Sequence, residues 1–159
     1  AGIGWGRSLP EGHGLGIAGH YSFVSYVAVA AEVQVDGNRL VIPRVDIAID
    51  CGPRVNPDRI RSQMEGAVIM GVGLATTSEI SFKNGRVEQN NFDNYEVTRI
   101  DTAPREIHVH LVASHDYSLP LGGVGEPGVP PVAPALANAV FAATGKRIRR
   151  LPIRDQFLV

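Results

Sequence analysis

Tyr21-Ser22-Phe23-Val24-Ser25-Tyr26-Val27, continued by Val33-Gln34-Val35 and stopped by Asp36-Gly37-Asn38, is the stretch on which the fold turns. Aromatic and β-branched residues crowd it, and such side chains suit a pleated, half-buried surface. Residues 17–35 therefore read as one long strand, or two, ending at a turn whose residues favour left-handed backbone. Beyond the turn, Val41, Val45, Ile47 and Ile49 alternate with Arg44, Asp46 and Asp50. That is the period of a strand with one solvated face, so residues 40–49 are the expected hairpin partner.

Asn56-Pro57-Asp58 then supplies a helix start: an N-cap residue, a proline at the first helical position and an acid in the first turn. The helix should run over 56–74, with Ile60, Met64, Val68 and Gly71 along one side. Gly66, Gly71 and Gly73 weaken it by about 1 kcal/mol each relative to alanine. Close packing against another backbone or a ligand is the expected compensation. Further on, residues 78–82 read as a strand, Lys83-Asn84-Gly85-Arg86 as a tight turn, residues 89–95 as a polar loop and residues 106–113 as a strand. In that last strand Ile107, Val109 and Leu111 share one face and His108 and His110 the other. A second helix over 132–144 ends at Gly145, a favoured residue just past a helix C-terminus, and residues 148–153 add a last short strand. The order β-β-α-β-β-α-β predicts an α+β, two-layer domain with a mixed sheet and two main helices. No internal repeat or low-complexity tract interrupts it, and residues 1–159 read as a single domain.

Composition narrows the function classes. A hydrophobic content of 44% with 19% charged residues is that of a chain able to build a core, not of a disordered one. A net charge of −1 carries no electrostatic footprint for nucleic acid or an anionic membrane. No apolar run approaches the roughly 18 residues of a membrane span, and the first residues lack a secretion-signal pattern. The one cysteine, Cys51, can neither pair within the chain nor furnish the thiolates of an iron–sulfur cluster, and is read as a small buried thiol. The chain opens on Ala1, as a processed protein or a piece of a longer one would.

The stretch richest in chemical implication is Gly122-Gly123-Val124-Gly125-Glu126-Pro127-Gly128, just ahead of the second helix. Glycine permits close approach and proline fixes φ, so a carboxylate held in this frame is aimed by the backbone. Two readings of Glu126 stand side by side. It caps the following helix, or it is a general base or ligand in a glycine-shaped pocket, where burial would raise its pKa towards neutrality. Two matches to G-x-G-x-x-G, at Gly14/Gly16/Gly19 and Gly123/Gly125/Gly128, lack the dinucleotide-binding context. The first leads into a strand. The second would place Glu126 beside a pyrophosphate, and no acid follows at the ribose-binding distance. His108, His110 and the His115-Asp116 pair suggest a zinc or iron site, but no third ligand at a telling spacing completes it. Lys146, Arg147, Arg149, Arg150 and Arg154 form a basic cluster, read as a solvated face or a contact for an acidic partner or a cofactor phosphate. No nucleophile elbow or cysteine–histidine pairing supports a hydrolase.

Three ordered stretches carry a resemblance. They are Ala48-Ile49-Asp50-Cys51-Gly52-Pro53-Arg54-Val55-Asn56-Pro57, then Gln63-Met64-Glu65-Gly66-Ala67-Val68-Ile69-Met70-Gly71-Val72-Gly73, and finally Gly123-Val124-Gly125-Glu126-Pro127. Together they resemble the C-terminal part of the molybdopterin-binding large subunit of the molybdenum hydroxylase (xanthine oxidase) family. Gly4-Trp5-Gly6-Arg7, Arg86-Val87-Glu88-Gln89-Asn90-Asn91-Phe92 and Ala142-Ala143-Thr144-Gly145-Lys146-Arg147 bring it nearest to isoquinoline 1-oxidoreductase β-subunits and related aldehyde dehydrogenase large subunits. The resemblance implies part of a larger molybdenum-cofactor-binding fold and hydroxylation of an aldehyde or N-heteroaromatic substrate with water as oxygen source. Glu126 is implied as the base. Gln63 is implied as a hydrogen-bonding partner of the pterin, and Gly123 and Gly125 as the glycines that let the loop approach the metal. It implies an iron–sulfur small subunit or other electron-transfer partner. The family's upstream cofactor loops have no counterpart here, so the expectation is a C-terminal fragment, inactive alone and completed by a missing N-terminal part of the same subunit. A non-catalytic scaffold or self-associating α+β module is the alternative.

Overall fold

The computed structural model describes residues 2–112 and 116–158. Its elements are β1 (His13–Ser22), β2 (Ser25–Asp36), β3 (Arg39–Asp50), α1 (Pro57–Thr76), β4 (Phe82–Lys83), β5 (Arg86–Val87), β6 (Glu106–Leu111) and α2 (Val132–Thr144). The main sheet has the order β1-β2-β3-β6. β1, β2 and β3 form an antiparallel meander, while β6 joins β3 in parallel after a crossover through α1. The sheet is therefore mixed, as expected. β4 and β5 form a separate two-stranded hairpin.

Alternation along the strands sorts their two faces. Val27, Val29, Ala31 and Val33 of β2 and Val45, Ile47 and Ile49 of β3 point to one side and are buried. Against them lie Ile60, Met64, Val68 and Val72 of α1 and Ala135, Leu136, Ala139 and Val140 of α2. Each fully buried Val, Ile, Leu or Met contributes about 1.5–3 kcal/mol of transfer free energy, so this single apolar layer dominates stability. Both helices pack on one face. The glycines of β1 serve this packing: a Cβ on Gly16 would sit 2.0 Å from the Ala135 carbonyl oxygen of α2. The opposite face carries Tyr26, Ala28, Ala30 and Ala48 and has no helix on it.

The helix signals in the sequence are realised. The Asn56 side chain accepts from the Arg59 N–H at 3.0 Å, Pro57 opens α1, and the Gly145 N–H closes α2 on the Phe141 carbonyl at 2.8 Å. Gly71 packs tightly under Val132 of α2, whereas no described residue comes within 4 Å of a Cβ placed on Gly66. Of the two readings of the first region, the structure has the two-strand one, broken at Phe23-Val24, a pair with no ordinary turn signature. Two expectations need correction. The strand expected over 78–82 shrinks to β4, because the Gln89 side chain takes the Ser81 N–H at 2.8 Å in place of a ladder partner. No strand forms over 148–153. There the Ile153 and Arg154 N–H groups bond the Ala75 and Thr76 carbonyls, satisfying the otherwise orphaned C-terminal end of α1. The end of the strand expected over 106–113, and His115, fall outside or at the margin of the described residues. No helix among those residues is long and apolar enough to cross a membrane.

Candidate functional site

The glycine-rich loop is anchored at both ends and open in the middle. At its start the Gly122 N–H donates to the Cys51 carbonyl at 2.9 Å and the Gly123 N–H to the Phe23 carbonyl at 2.8 Å. The fully buried Ser25 hydroxyl donates to the Gly123 carbonyl at 2.7 Å. At its far end Pro127 and Gly128 are buried, and a Cβ on Gly128 would stand 2.7 Å from Cβ of Ala67 on α1. Between these anchors Gly125 and Glu126 are exposed. The loop is thus stretched from the β1–β2 turn to the middle of α1.

That span brings two expected site residues together. Gln63 lies on α1 one turn before Ala67, and its Nε2 is 3.8 Å from the position a Cβ on Gly125 would take. No hydrogen bond ties the Gln63 amide or the Glu126 carboxylate to any other described residue. Both residues are exposed, and their polar groups are unengaged among the described residues. The capping role considered for Glu126 is not taken: the N-cap of α2 is Pro131, with no side-chain hydrogen bond there. The burial expected around Glu126 is also absent from this chain, because the backbone that aims the carboxylate supplies no wall around it.

The two other expected residues differ in kind. A Cβ on Gly123 would lie 2.8 Å from Cβ of Phe23, so the fold itself requires glycine there. Around Gly125 only the Gln63 amide comes near among the described residues, at an ordinary contact distance, and none of them demands glycine. Gly125 and the Gln63 amide therefore form a bare surface with amide donors and an acceptor at its edge. Sequence reasoning missed Ser25 and Phe23 as the residues that hold the loop. The only signal was a serine set between two apolar residues in a strand-like run.

The remaining candidates resolve into structural roles. His108 is 2.9 Å from Glu106. His110 is 2.7 Å from Asp46, which also receives Arg44 at 2.6 and 2.9 Å. Burial pushes the Asp46 carboxyl up, but these hydrogen bonds outweigh it and hold the group below its ordinary value. No cluster of three or more metal-ligating side chains exists among the described residues. Burial raises the pKa of the Cys51 thiol, as expected of an inert buried cysteine. In the basic cluster, Arg147 stacks 3.4 Å over Phe141, Arg154 pairs with Glu79, and Lys146 donates to the Leu158 carbonyl.

Comparison with known proteins places this geometry. The family model described as molybdopterin cofactor-binding domain matches residues 10–104, a span that includes Gln63 and ends before the Glu126 loop. The chain is 34% identical over 152 residues to isoquinoline 1-oxidoreductase subunit beta of Brevundimonas diminuta, covering 93% of this chain and 19% of that protein. It is 31% identical over 159 residues to a membrane-bound aldehyde dehydrogenase of Gluconacetobacter polyoxogenes, covering 96% of this chain and 20% of that protein. Among solved structures, aldehyde oxidoreductase from Desulfovibrio gigas superposes with a TM-score of 0.71 at 25% identity, covering 84% of this chain and 15% of that one. Quinoline 2-oxidoreductase from Pseudomonas putida 86 shares the fold, with a TM-score of 0.72 at 20% identity over 81% of this chain and 17% of that one. The chain spans about a fifth of the length of these curated relatives. With a matching family model over more than half its length, a shared fold and similarity to these relatives over nearly all of this chain, the chain belongs to the molybdopterin cofactor-binding domain family.

Proposed function

We propose that this chain is the C-terminal part of a larger molybdenum-cofactor-dependent oxidoreductase subunit that hydroxylates an aldehyde or N-heteroaromatic substrate with oxygen drawn from water. One observation carries the reading. The Gln63 amide, far away in sequence, lies 3.8 Å from where a Cβ on Gly125 would stand, and neither it nor the exposed carboxylate of the adjacent Glu126 is hydrogen-bonded to another described residue. The relatives named for isoquinoline and aldehyde oxidation support the substrate classes.

The Gln63 amide offers two donors and one acceptor to the edge of the pterin, and Gly125 leaves room for it. When bound, the molybdenum cofactor would supply the two-electron acceptor. Glu126 would act as general base, taking a proton at a carboxylate oxygen. Such a base contributes about 10²–10⁴ in rate. Two features of this chain serve it: the rigid anchoring of the loop, and the freedom of the carboxylate from competing hydrogen bonds. A buried site needs walls on several sides, and this chain offers one. The missing walls belong to the N-terminal part of the same subunit, and the electrons leave to an iron–sulfur subunit or other electron-transfer partner.

The isolated chain should therefore hold no stoichiometric molybdenum and turn over neither aldehydes nor N-heteroaromatics, while the full-length subunit does both. Metal analysis and an oxidation assay on both preparations decide it, and stoichiometric metal with turnover in the isolated chain overturns the fragment reading. A second reading, a self-associating scaffold, draws on the exposed apolar face of the sheet, where Ile17 and Tyr26 stand open. It requires a full-length product with neither metal nor turnover.

A further inference from the structure

The outer face of α1 changes character halfway along the helix. In the first half Asp58, Arg59, Arg61 and Glu65 stand exposed to solvent. From Gly66 to Thr76 no residue carries a charge on any side of the helix. The inward residues of that second half belong to the core, yet Met70 and Leu74 are 60% and 39% exposed on the outward side. A helix that is apolar all round is a buried helix, so this half of α1 is built to be covered on both sides.

The glycines point the same way. A glycine within a helix weakens it, and its use is to admit a close neighbour. Gly71 answers to Val132, and Gly73 to Thr98, whose hydroxyl would lie 3.0 Å from an added Cβ. Gly66 is the exception, with no described residue within 4 Å of a Cβ placed there. Gln63, Gly66, Met70 and Leu74 succeed one another at intervals of three and four residues, which sets them in one line along the helix. Beside that line a wall is already in place. The Thr98 hydroxyl donates to the Ile69 carbonyl at 3.0 Å, and the Ser78 hydroxyl donates to the Glu96 carbonyl at 2.8 Å. Helix and wall bound a groove of about 450 Å³.

The lining selects the occupant. Met70, Leu74 and the bare Gly66 suit an apolar stretch of polypeptide, because their value lies in contact area and close approach. The groove also continues the line of Gln63, so polypeptide that walls the site at Gln63 reaches it without a break. This chain covers 19–20% of its curated relatives, which leaves ample polypeptide in such a subunit to supply that wall. Resting on the function proposed above, we propose that the Gly66–Leu74 face of α1 docks an apolar segment of the missing N-terminal part of the same subunit.

The test uses the full-length subunit with photo-methionine in place of methionine, a near-isosteric change that leaves folding intact. Irradiation is followed by mass spectrometry of the cross-linked peptides, and molybdenum and turnover are recorded on the unirradiated sample. In a second preparation Met70→Cys is labelled with a thiol reagent, folded and in urea, and read at its own peptide. The expected result is a cross-link from Met70 to a peptide of the same chain outside residues 1–159, unchanged on tenfold dilution. Labelling of Met70→Cys should be slower by roughly a hundredfold or more in the folded subunit, since a covered site reacts only when it opens. Cross-links confined to residues 1–159, to a second copy or to a separate protein overturn the proposal, as does labelling as fast as in urea. A subunit without molybdenum or turnover would refute the proposed function, and the cross-link, which needs neither, would still decide the docking face.

Discussion

Gly122→Ala and Gly125→Ala, three residues apart in one loop, should move stability in opposite directions. At Gly122 a Cβ would lie 2.2 Å from the Ser25 hydroxyl, 2.9 Å from the Val24 carbonyl and 3.1 Å from Cα of Cys51. Two of these neighbours are backbone, and the third is a buried hydroxyl already committed to Gly123, so the loop must lift from the β1–β2 turn. Overpacking of this kind costs about 1–3 kcal/mol. At roughly 2–4 °C per kcal/mol for a domain of this size, the melting temperature falls by about 2–12 °C. At Gly125 the only neighbour within 4 Å among the described residues is the Gln63 amide at 3.8 Å, and the backbone is outside the left-handed region. Alanine there is free of strain and narrows the unfolded ensemble, which stabilises by about 0.4–1 kcal/mol. In the full-length subunit, however, that methyl group occupies space assigned to the cofactor, so molybdenum content should fall although the fold is firmer. Urea titration of the chain gives the stability half, and metal analysis of the subunit gives the other. A Gly125→Ala protein that is markedly less stable, or that binds molybdenum as the wild type does, refutes the reasoning about this surface.

Two further outcomes follow from the site and its surroundings. Asp46 has a folded-state pKa below its ordinary 3.8, so it contributes stability fully above that value and loses it as pH falls further. Asp46→Asn should accordingly cost about 1.5–3 kcal/mol at neutral pH, with the difference from wild type shrinking below about pH 4 in acid-unfolding curves. Gln63→Ala should leave the unfolding free energy within about 0.5 kcal/mol of wild type, since the side chain is exposed, yet lower the molybdenum content of the full-length subunit. Normal loading of that variant would remove Gln63 from the site.

Much of the fold was legible because local chemistry and tertiary need agree. Asn56-Pro57 caps a helix wherever it is found, and the alternation from Val41 to Ile49 admits one buried face. The failures share a cause: a backbone group satisfied by something other than a neighbouring strand. Ser81 is bonded by the side chain of Gln89, and Ile153 by the last turn of α1. Neither substitution leaves a mark in the local sequence. The Phe23–Val24 turn was hidden for a different reason, since its residues oppose the backbone they adopt and only contact with the distant Gly122–Gly123 pair holds them there. At the candidate site the glycine frame was legible, but its meaning divided. Gly123 answers to Phe23 and Gly125 to open space beside Gln63, a difference that composition alone cannot express. The expected burial of Glu126 failed because enclosure is a property of walls, and this chain builds one of them.

The central claim is that Glu126, aimed by the loop and unengaged by its neighbours, removes the proton in catalysis. Its most direct test is kcat of Glu126→Gln in the full-length subunit, with molybdenum counted in the same sample. The account predicts full metal content and a loss of about 10²–10⁴ in kcat. Wild-type turnover at full metal content would contradict it.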